Sequence, residues 1–422
     1  MLKKIEFEKA IVVGVNINNR DDFEDSMEEL CNLAEACHIK VVGKVEQNLR
    51  KPQPQYYVGT GKVDEIKIAI EYFDADLVVF GHELTPSQLR NLERELAIRV
   101  VDRTNLILEI FERRAKTREA KLQVEAAHLQ YLLPRLIGSY ENLGRQSGGV
   151  GTKNKGVGEK KLELDRRKVE QKIHELNREI EMISVERATQ RKRRALSELP
   201  GVALVGYTNA GKSTLLNAML ENYNRSENKR VFEKDMLFAT LETSVRQIKL
   251  PDKKMFTLSD TVGFVSELPH ELVKAFRATL EEVKNADLLL HVIDYSNDNY
   301  EKHIDVTLET LKEIGADHIP MIFVYNKIDR AKSKKPIDRQ NSVMISAKEK
   351  IGLEYLVDKM KTHLFSDYID CMLEIPYDDG KLLSYLNEHT AIKDTEYLEF
   401  STRLNIECSP SDYKKFENFI VK

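Results

Sequence analysis

The 422-residue chain has little cysteine, only Cys31, Cys37, Cys371 and Cys408. None stand in C-x-x-C spacing, which argues against a thiolate metal site and for reduced, mostly buried thiols. A strong net charge is missing too. Charged residues make up 32% of the chain yet sum to −4, so no global field selects a partner. Long hydrophobic runs are absent. The longest, Ala286 to Ile293, is strand-length and carries polar interruptions, so nothing reads as a membrane span. The opening Met1-Leu2-Lys3-Lys4-Ile5-Glu6 lacks the apolar core of a secretory signal. These absences lead us to expect a soluble, cytoplasmic protein of roughly two to four domains.

What charge there is lies unevenly. From Arg113 to Arg194 there are 21 lysines and arginines against 11 acids, so the rest of the chain is acidic. The same region reads as long helix. One arm is expected from about Leu106 to Arg135, through Ile110, Ala120, Val124, Ala127 and Tyr131. The other is expected from about Glu159 to Ser197, with Leu162, Val169, Ile173, Leu176, Ile180 and Ile183 spaced by threes and fours. That spacing makes a seam, as in a coiled coil or antiparallel hairpin. Between the arms lies Gly148 to Gly158, too glycine-rich to fold alone. Basic side chains with exposed amides there suit a phosphodiester backbone, most plausibly structured RNA. The candidate contacts are Arg145, Gly148, Gly149, Gly151, Lys153, Lys155, Lys160 and Lys161. The alternative is a flexible linker with a solvated charged face.

Before the hairpin, buried-strand runs alternate with helical patterns. Ile11–Val15, Lys40–Val45, Leu77–Phe80 and Arg99–Asp102 read as strands. Phe23–Ala34, Ile66–Ile70 and Pro86–Leu96 read as helices. Alternation of this kind predicts a small parallel α/β domain. Gly59-Thr60-Gly61-Lys62 falls short of a phosphate-loop motif and reads as a plain turn.

The sharpest signal follows the hairpin. Val202–Val205 leads into Gly206-Tyr207-Thr208-Asn209-Ala210-Gly211-Lys212-Ser213 and a helix through Leu220, which is strand, G-x-x-x-x-G-K-[ST] loop and helix. Glycines let backbone amides curl around phosphate oxygens, and the helix N-terminus, with Thr214, faces the anion. Lys212 is expected to reach the outer phosphates and Ser213 to ligate magnesium. Val245–Leu250 and Met255–Ser259 read as strands, the second ending in Asp260-Thr261-Val262-Gly263. Asp260 is placed to hold magnesium through water, and the Gly263 amide to contact the terminal phosphate. Thr240, in Phe238-Ala239-Thr240-Leu241, is the expected switch ligand to magnesium, with Thr243 the alternative. Met321–Tyr325 delivers Asn326-Lys327-Ile328-Asp329, whose carboxylate can accept two hydrogen bonds from a guanine edge. Adenine would leave it unpaired, a penalty that can discriminate by ~10⁴-fold. Ser346-Ala347-Lys348, after Val343–Ile345, can back the base. Four motifs in one order, each at a strand end, predict a guanine-nucleotide-binding domain with Lys212, Thr240 and Gly263 as the catalytic set.

Past Asp367 a strand at Cys371–Ile375, a helix at Lys381–His389 and strands near Tyr397–Ser401 and Leu404–Cys408 predict a small α+β unit. The fold class is thus α/β. A phosphate-loop nucleotide domain (200–365) follows a parallel α/β domain (1–105) and an antiparallel helical hairpin (106–199), and precedes the α+β domain (366–422).

With these motifs in hand the sequence resembles the HflX family of ribosome-associated GTPases over nearly its whole length. The phosphate loop, Phe238–Leu241, Asp260–Val265 and Leu268–Arg277 are similar to the family's segments. So are Tyr57–Val63, Asp102–Leu108 and Glu119–Glu125, which generic GTPases lack. Two stretches depart from the pattern. Ser147 replaces the first glycine of the family's loop and Lys153–Gly158 its R-G-P-G, while Glu242-Thr243-Ser244-Val245-Arg246 stands for D-P-T-T-R. The departures fall on the tip and the switch, as in a divergent paralogue.

The resemblance implies GTP and GDP as ligands and magnesium as cofactor. It also implies a potassium ion held by Asn209, binding to the large ribosomal subunit, and separation of stalled or idle ribosomes under heat or antibiotic stress. Away from the ribosome a monomer is expected. Phe264 stands where many GTPases orient water with glutamine, so slow intrinsic turnover, stimulated by the ribosome, is expected. The alternative is a GTP-gated RNA-processing or ribosome-assembly factor without splitting activity.

Overall fold

The computed structural model describes residues 7–19, 22–139, 155–195, 199–223, 238, 244–266, 282–331 and 340–421. It divides into two compact units. The first comprises Met1–Gln190 with Lys234–Glu242 and Ser266–Ala278, and the second comprises Arg191–Glu233, Thr243–Val265 and Thr279–Lys422.

In the first unit, β1 (Glu8–Ile17), β2 (Ile39–Leu49), β3 (Leu77–Phe80) and β4 (Arg99–Val101) form a parallel sheet of order β2-β1-β3-β4. Helices α1 (Phe23–Ala36), α2 (Thr60–Phe73) and α3 (Pro86–Leu96) make the crossovers that parallel pairing demands. The strand runs are continuous in apolar residues because both faces are covered. Ile11, Val13, Val78 and Phe80 are fully buried, packed with Ile66 and Leu92. The start of α3 is written locally. The Thr85 hydroxyl accepts from the Gln88 amide, the Gln88 side chain accepts from the Thr85 amide, and Pro86 fills the first turn. Gly59-Thr60-Gly61-Lys62, expected as a plain turn, is instead the cap and first turn of α2.

The expected single arm from Leu106 to Arg135 is two helices, α4 (Arg103–Arg114) and α5 (Arg118–Ser139). Ala115 turns extended between them, and the Thr117 hydroxyl accepts from the Ala120 amide to restart the helix. The apolar period carries through this break, so periodicity could not show it. Helix α6 (Lys155–Ala195) returns antiparallel to α5, with Arg118 paired to Glu179 at 2.8 Å and Glu125 to Lys172 at 3.9 Å. On the predicted seam Leu176 is buried and Val169, Ile173, Ile180 and Ile183 are half-buried, while α5 buries Val124, Ala127 and Tyr131. Because α6 begins at Lys155, Gly156 and Gly158 lie within helix, a correction to the expected loop through Gly158.

The second unit holds a six-stranded sheet of order β10-β9-β8-β5-β7-β6. Its strands are β5 (Gly201–Val205), β6 (Ser244–Lys249), β7 (Met255–Asp260), β8 (Leu288–Asp294), β9 (Met321–Asn326) and β10 (Ser342–Met344). All neighbours are parallel except the β6–β7 hairpin. Helices α7 (Lys212–Tyr223), α8 (Tyr300–Ile314) and α9 (Leu353–Leu364) belong to the same unit. Leu215, Leu216 and Met219 of α7 bury against Leu204, Leu258 and Leu290 of the sheet.

The C-terminal residues form an antiparallel sheet of order β11-β13-β12 from β11 (Ile369–Pro376), β12 (Ala391–Tyr397) and β13 (Ser401–Cys408), with α10 (Gly380–His389) and α11 (Pro410–Lys415). The strand expected near Tyr397–Ser401 is the turn between β12 and β13. The strand before that turn carries Lys393, Asp394, Thr395 and Glu396 on an exposed edge and so lacks the apolar alternation that marks a strand.

Candidate functional site: a nucleotide pocket at the sheet's carboxyl edge

In an open parallel sheet, ligands gather outside the carboxyl ends of the strands. Here those ends carry nearly all the polar motifs. In the strand register Leu204 faces Asp260 and Asp294 faces Asn326, so β5, β7, β8 and β9 deliver their last residues to one edge.

The loop after β5 is held from several sides. Lys212 is buried, and its Nζ donates to the carbonyls of Gly206 at 3.0 Å and Tyr207 at 2.8 Å. The Tyr207 ring stacks on His303 of α8, centroids 3.8 Å apart and planes nearly parallel. The Thr208 amide donates to the Phe264 carbonyl at 2.7 Å, and the Phe264 amide to the Gly206 carbonyl at 3.1 Å. Gly211 sits at φ +96°, where an added Cβ would lie 2.3 Å from Asn326 Nδ2, so only glycine fits. Asn209, also left-handed at φ +61°, is exposed.

Ser213 Oγ donates to Asp260 Oδ2 at 2.6 Å, and Asp260 is fully buried. Thr261 Oγ1 donates to the Leu204 carbonyl at 2.5 Å and fixes the loop that follows. Gly263 has no room for a side chain, because a Cβ would approach the Thr208 backbone to 2.8 Å and Lys212 Nζ to 3.0 Å. Phe264 is buried and hydrogen-bonded through its backbone, so its ring has no polar atom to offer a water. Ser213 and Asp260 are hard oxygen donors in contact. That is the protein share expected for magnesium, which takes one or two side chains and otherwise phosphate and water oxygens.

On the other side of the loop, Asn326 acts as a staple. Its Nδ2 donates to the Ala210 carbonyl at 2.9 Å and its Oδ1 accepts from the Ala347 amide at 2.9 Å. The side chain thus ties the phosphate loop to the 346–348 loop, which the sequence could not show. Asp329 Oδ1 accepts from Ser346 Oγ at 2.6 Å, and its Oδ2 lies 3.9 Å from Arg330 Nε. Lys327 adopts φ +63° and its Nζ pairs with Asp294 at 2.7 Å. Asp294 escaped the sequence reading. The available signal was its place at the end of an apolar strand, matching Asp260 on β7. Lys348 is exposed. Thr214 sits in the first turn of α7.

The other predicted residues are not gathered here. Phe238 belongs to the first unit, where its ring meets Phe111 edge-on at 4.6 Å. Thr240, Thr243, Arg145, Gly148, Gly149, Gly151 and Lys153 lie outside the described residues. Lys155, Lys160 and Lys161 fall on the opening turns of α6.

Burial, partly offset by Asp260 and reinforced by Lys327, lowers the Lys212 ammonium from its ordinary 10.5 to about 8. Bound phosphate would raise it again. Below pH 8 the lysine is charged with or without nucleotide, and binding is proton-neutral at this group. Above pH 8 the free protein has shed the proton and binding must take one up, so affinity falls as pH rises. We expect this to approach tenfold weaker binding per pH unit above about 8. Calorimetry in two buffers of different ionisation enthalpy checks the uptake, and equal heats at pH 9 would contradict it.

A phosphate loop clamped by a D-x-x-G segment, with N-K-x-D and S-A-K beside it on one sheet edge, defines a GTP-hydrolysing domain. Comparison with known proteins extends this to the whole chain. Residues 24–112 match the family model described as GTP-binding GTPase N-terminal, residues 114–194 GTP-binding GTPase Middle Region, and residues 201–327 50S ribosome-binding GTPase. A GTPase HflX of Caldanaerobacter subterraneus is 41% identical over 98% of this chain and 94% of its own. The GTPase HflX of Escherichia coli is 39% identical over 93% and 91%. A GTP-binding protein from Sulfolobus solfataricus, solved with GDP, is 25% identical over 85% of this chain and 99% of its own, with a TM-score of 0.44. The chain belongs to the HflX family of GTPases. Among the described residues no helix is long and apolar enough to cross a membrane.

Proposed function

We propose that this GTPase binds the large ribosomal subunit through the tip of its helical hairpin and, in its GTP state, separates stalled or idle ribosomes into subunits. The observation that carries the reading is the hairpin itself. Two long antiparallel helices flank residues 140–154 in the chain and fall within its concentration of basic residues, a shape and charge suited to meeting folded RNA. The description of the matched family, 50S ribosome-binding GTPase, supports the same partner. Arg145, Gly148, Gly149, Gly151 and Lys153, with Lys155, Lys160 and Lys161 at the helix start, are the proposed RNA contacts. Charge of this kind gives affinity and position without reading base sequence.

In the nucleotide pocket we assign Gly206 to Thr214 to the phosphates. Asn326, Lys327 and Asp329 take the guanine side, with Ser346, Ala347 and Lys348. Magnesium, held by Ser213 and through water by Asp260, with Thr240 completing the set in the GTP state, would neutralise charge developing between the outer phosphates. On nucleotide binding Lys212 exchanges the loop carbonyls for phosphate oxygens. The Gly263 amide contacts the terminal phosphate and registers its loss. Asn209, exposed in the loop, is the proposed potassium contact, so replacing potassium by sodium should slow hydrolysis. Phe264 cannot position water, so turnover alone is slow, and completion of the site by the ribosome raises it by about 10³ to 10⁵.

Sucrose-gradient sedimentation of intact ribosomes with this protein and a non-hydrolysable GTP analogue tests the reading. Free subunits should appear, and should vanish with GDP or after deletion of residues 148–158. Co-sedimentation with an unchanged profile would favour an assembly or processing factor. No binding at all would overturn the ribosomal partner.

A further inference from the structure

The Asp102-Arg103-Thr104-Asn105-Leu106-Ile107-Leu108 signature has no part in the nucleotide pocket, yet the structure gives it unusual chemistry. Arg103 opens α4 and is only 3% exposed. Its guanidinium pairs with Glu29 of α1 and donates through Nη2 to the carbonyl of Ser266 at 2.8 Å. Ser266 lies three residues beyond Gly263 and belongs to the first unit. At the far end of α4, Phe111 takes the Phe238 ring edge-on, and Phe238 lies two residues before Thr240. One helix thus holds, at its two ends, the segments adjoining the two loops that respond to the terminal phosphate.

The residue before Arg103 faces the hairpin. Asp102 is fully buried and caps α4 by accepting from the Asn105 amide at 2.8 Å. Its carboxylate also accepts from Tyr131 Oη at 2.9 Å and Arg135 Nη2 at 3.0 Å, both on α5. The Arg135 guanidinium lies 3.4 Å over the Tyr131 ring and also donates to the Leu84 carbonyl at 2.9 Å. Burial, with Asp102 next, pushes the Tyr131 hydroxyl well above its usual range, so it remains a donor. A carboxylate with this many partners moves only if they move with it.

We propose that α4 is the helix through which the state of the nucleotide reaches the hairpin, with Arg103 and Phe111 as its two contacts on the switch segments and Asp102 as its grip on α5. Burying a guanidinium is costly unless its donors are engaged, and among the described residues Nε and Nη1 of Arg103 are buried without a hydrogen-bond partner. Among those residues the group is satisfied at Nη2 alone. It has donors in reserve for a second arrangement of the 263–266 segment, as a two-state contact requires. When Gly263 is drawn to a terminal phosphate, the Ser266 carbonyl shifts, Arg103 changes partners, and the N-cap Asp102 carries the displacement to Tyr131 and Arg135. The proposal rests on the GTP site assigned above and not on the ribosomal partner. A purely anchoring role for these residues would give no nucleotide dependence at α5.

Hydrogen exchange on the full chain, with GDP and with a non-hydrolysable GTP analogue, reads this directly. In the wild type, amides 128–136 should exchange at rates differing by about fivefold or more between the two nucleotides, the lower end of ordinary coupling. Arg103→Lys keeps a charge where Nη2 bridges Glu29 and Ser266 but removes the reserve donors Nε and Nη1, and Phe111→Leu removes the ring contact. Each should bring the ratio toward one while leaving nucleotide affinity at the wild-type level. If Arg103→Lys fails to fold, Phe111→Leu carries the comparison. A wild type without the difference, or foldable variants that retain it, would overturn the proposal. Loss of nucleotide binding by the wild type would instead sink the GTP-site assignment.

Discussion

Lys212→Ala is expected to lower GTP turnover by at least about 10²- to 10³-fold, the usual cost of removing one preorganised donor from a transition state. The structure gives two reasons for a large effect. The ammonium is buried, interacts with the Asp260 carboxylate and would lie 3.0 Å from a Cβ on Gly263, so its charge acts where water does not screen it. It also ties the carbonyls of Gly206 and Tyr207 together, so its loss loosens the loop as well as the charge. Lys212→Arg separates the two contributions. Arginine keeps the charge but its planar fork does not fit the point contact between two carbonyls, so turnover should stay low. Single-turnover hydrolysis at saturating GTP, with and without ribosomes, measures both variants. Activity within threefold of wild type (on the order of the scatter for unrelated surface changes) would remove Lys212 from the catalytic set.

The second large effect concerns the base. Asp329→Asn should weaken GTP binding by about 10²-fold or more and raise affinity for xanthosine triphosphate, reversing the preference by about 10⁴. Guanine offers two donors to a carboxylate, whereas xanthine replaces the amino donor by a carbonyl that an asparagine amide can serve. The substitution should not disturb the fold. Ser346 Oγ donates to Asp329 Oδ1, and the amide oxygen of asparagine accepts that bond equally well. Competition binding with fluorescent GDP against both triphosphates reports the reversal. An unchanged order of affinities would mean that Asp329 does not read the base.

Much of this site is legible in the sequence because its chemistry is local. Phosphate binding needs a strand, a glycine loop and a helix in immediate succession, and the stretch Gly201–Tyr223 supplies them with Gly206–Ser213 as the loop and helix start. Lys327 and Asp329 follow the apolar run of β9 directly, and Asp260 closes β7. The α6 seam is readable for the same reason, since threes and fours place Val169, Ile173 and Leu176 on one face of any helix. Boundaries are less legible. The period runs through Ala115 without a change, and helix propensity does not foretell that α6 absorbs Gly156 and Gly158. The β12 strand is hidden because its exposed edge carries no alternation.

The sequence by itself determined the ligand class, the order of the nucleotide motifs and the presence of a long basic hairpin, all of which follow from residues close together in the chain. Tertiary structure alone decided that Asn326 bridges Ala210 and Ala347, that Asp294 restrains Lys327, and that Arg103 reaches Ser266. Those pairs lie 21 to 163 positions apart. No periodicity encodes such pairings, because they arise only when the sheet brings strand ends together and buried polar groups must find partners.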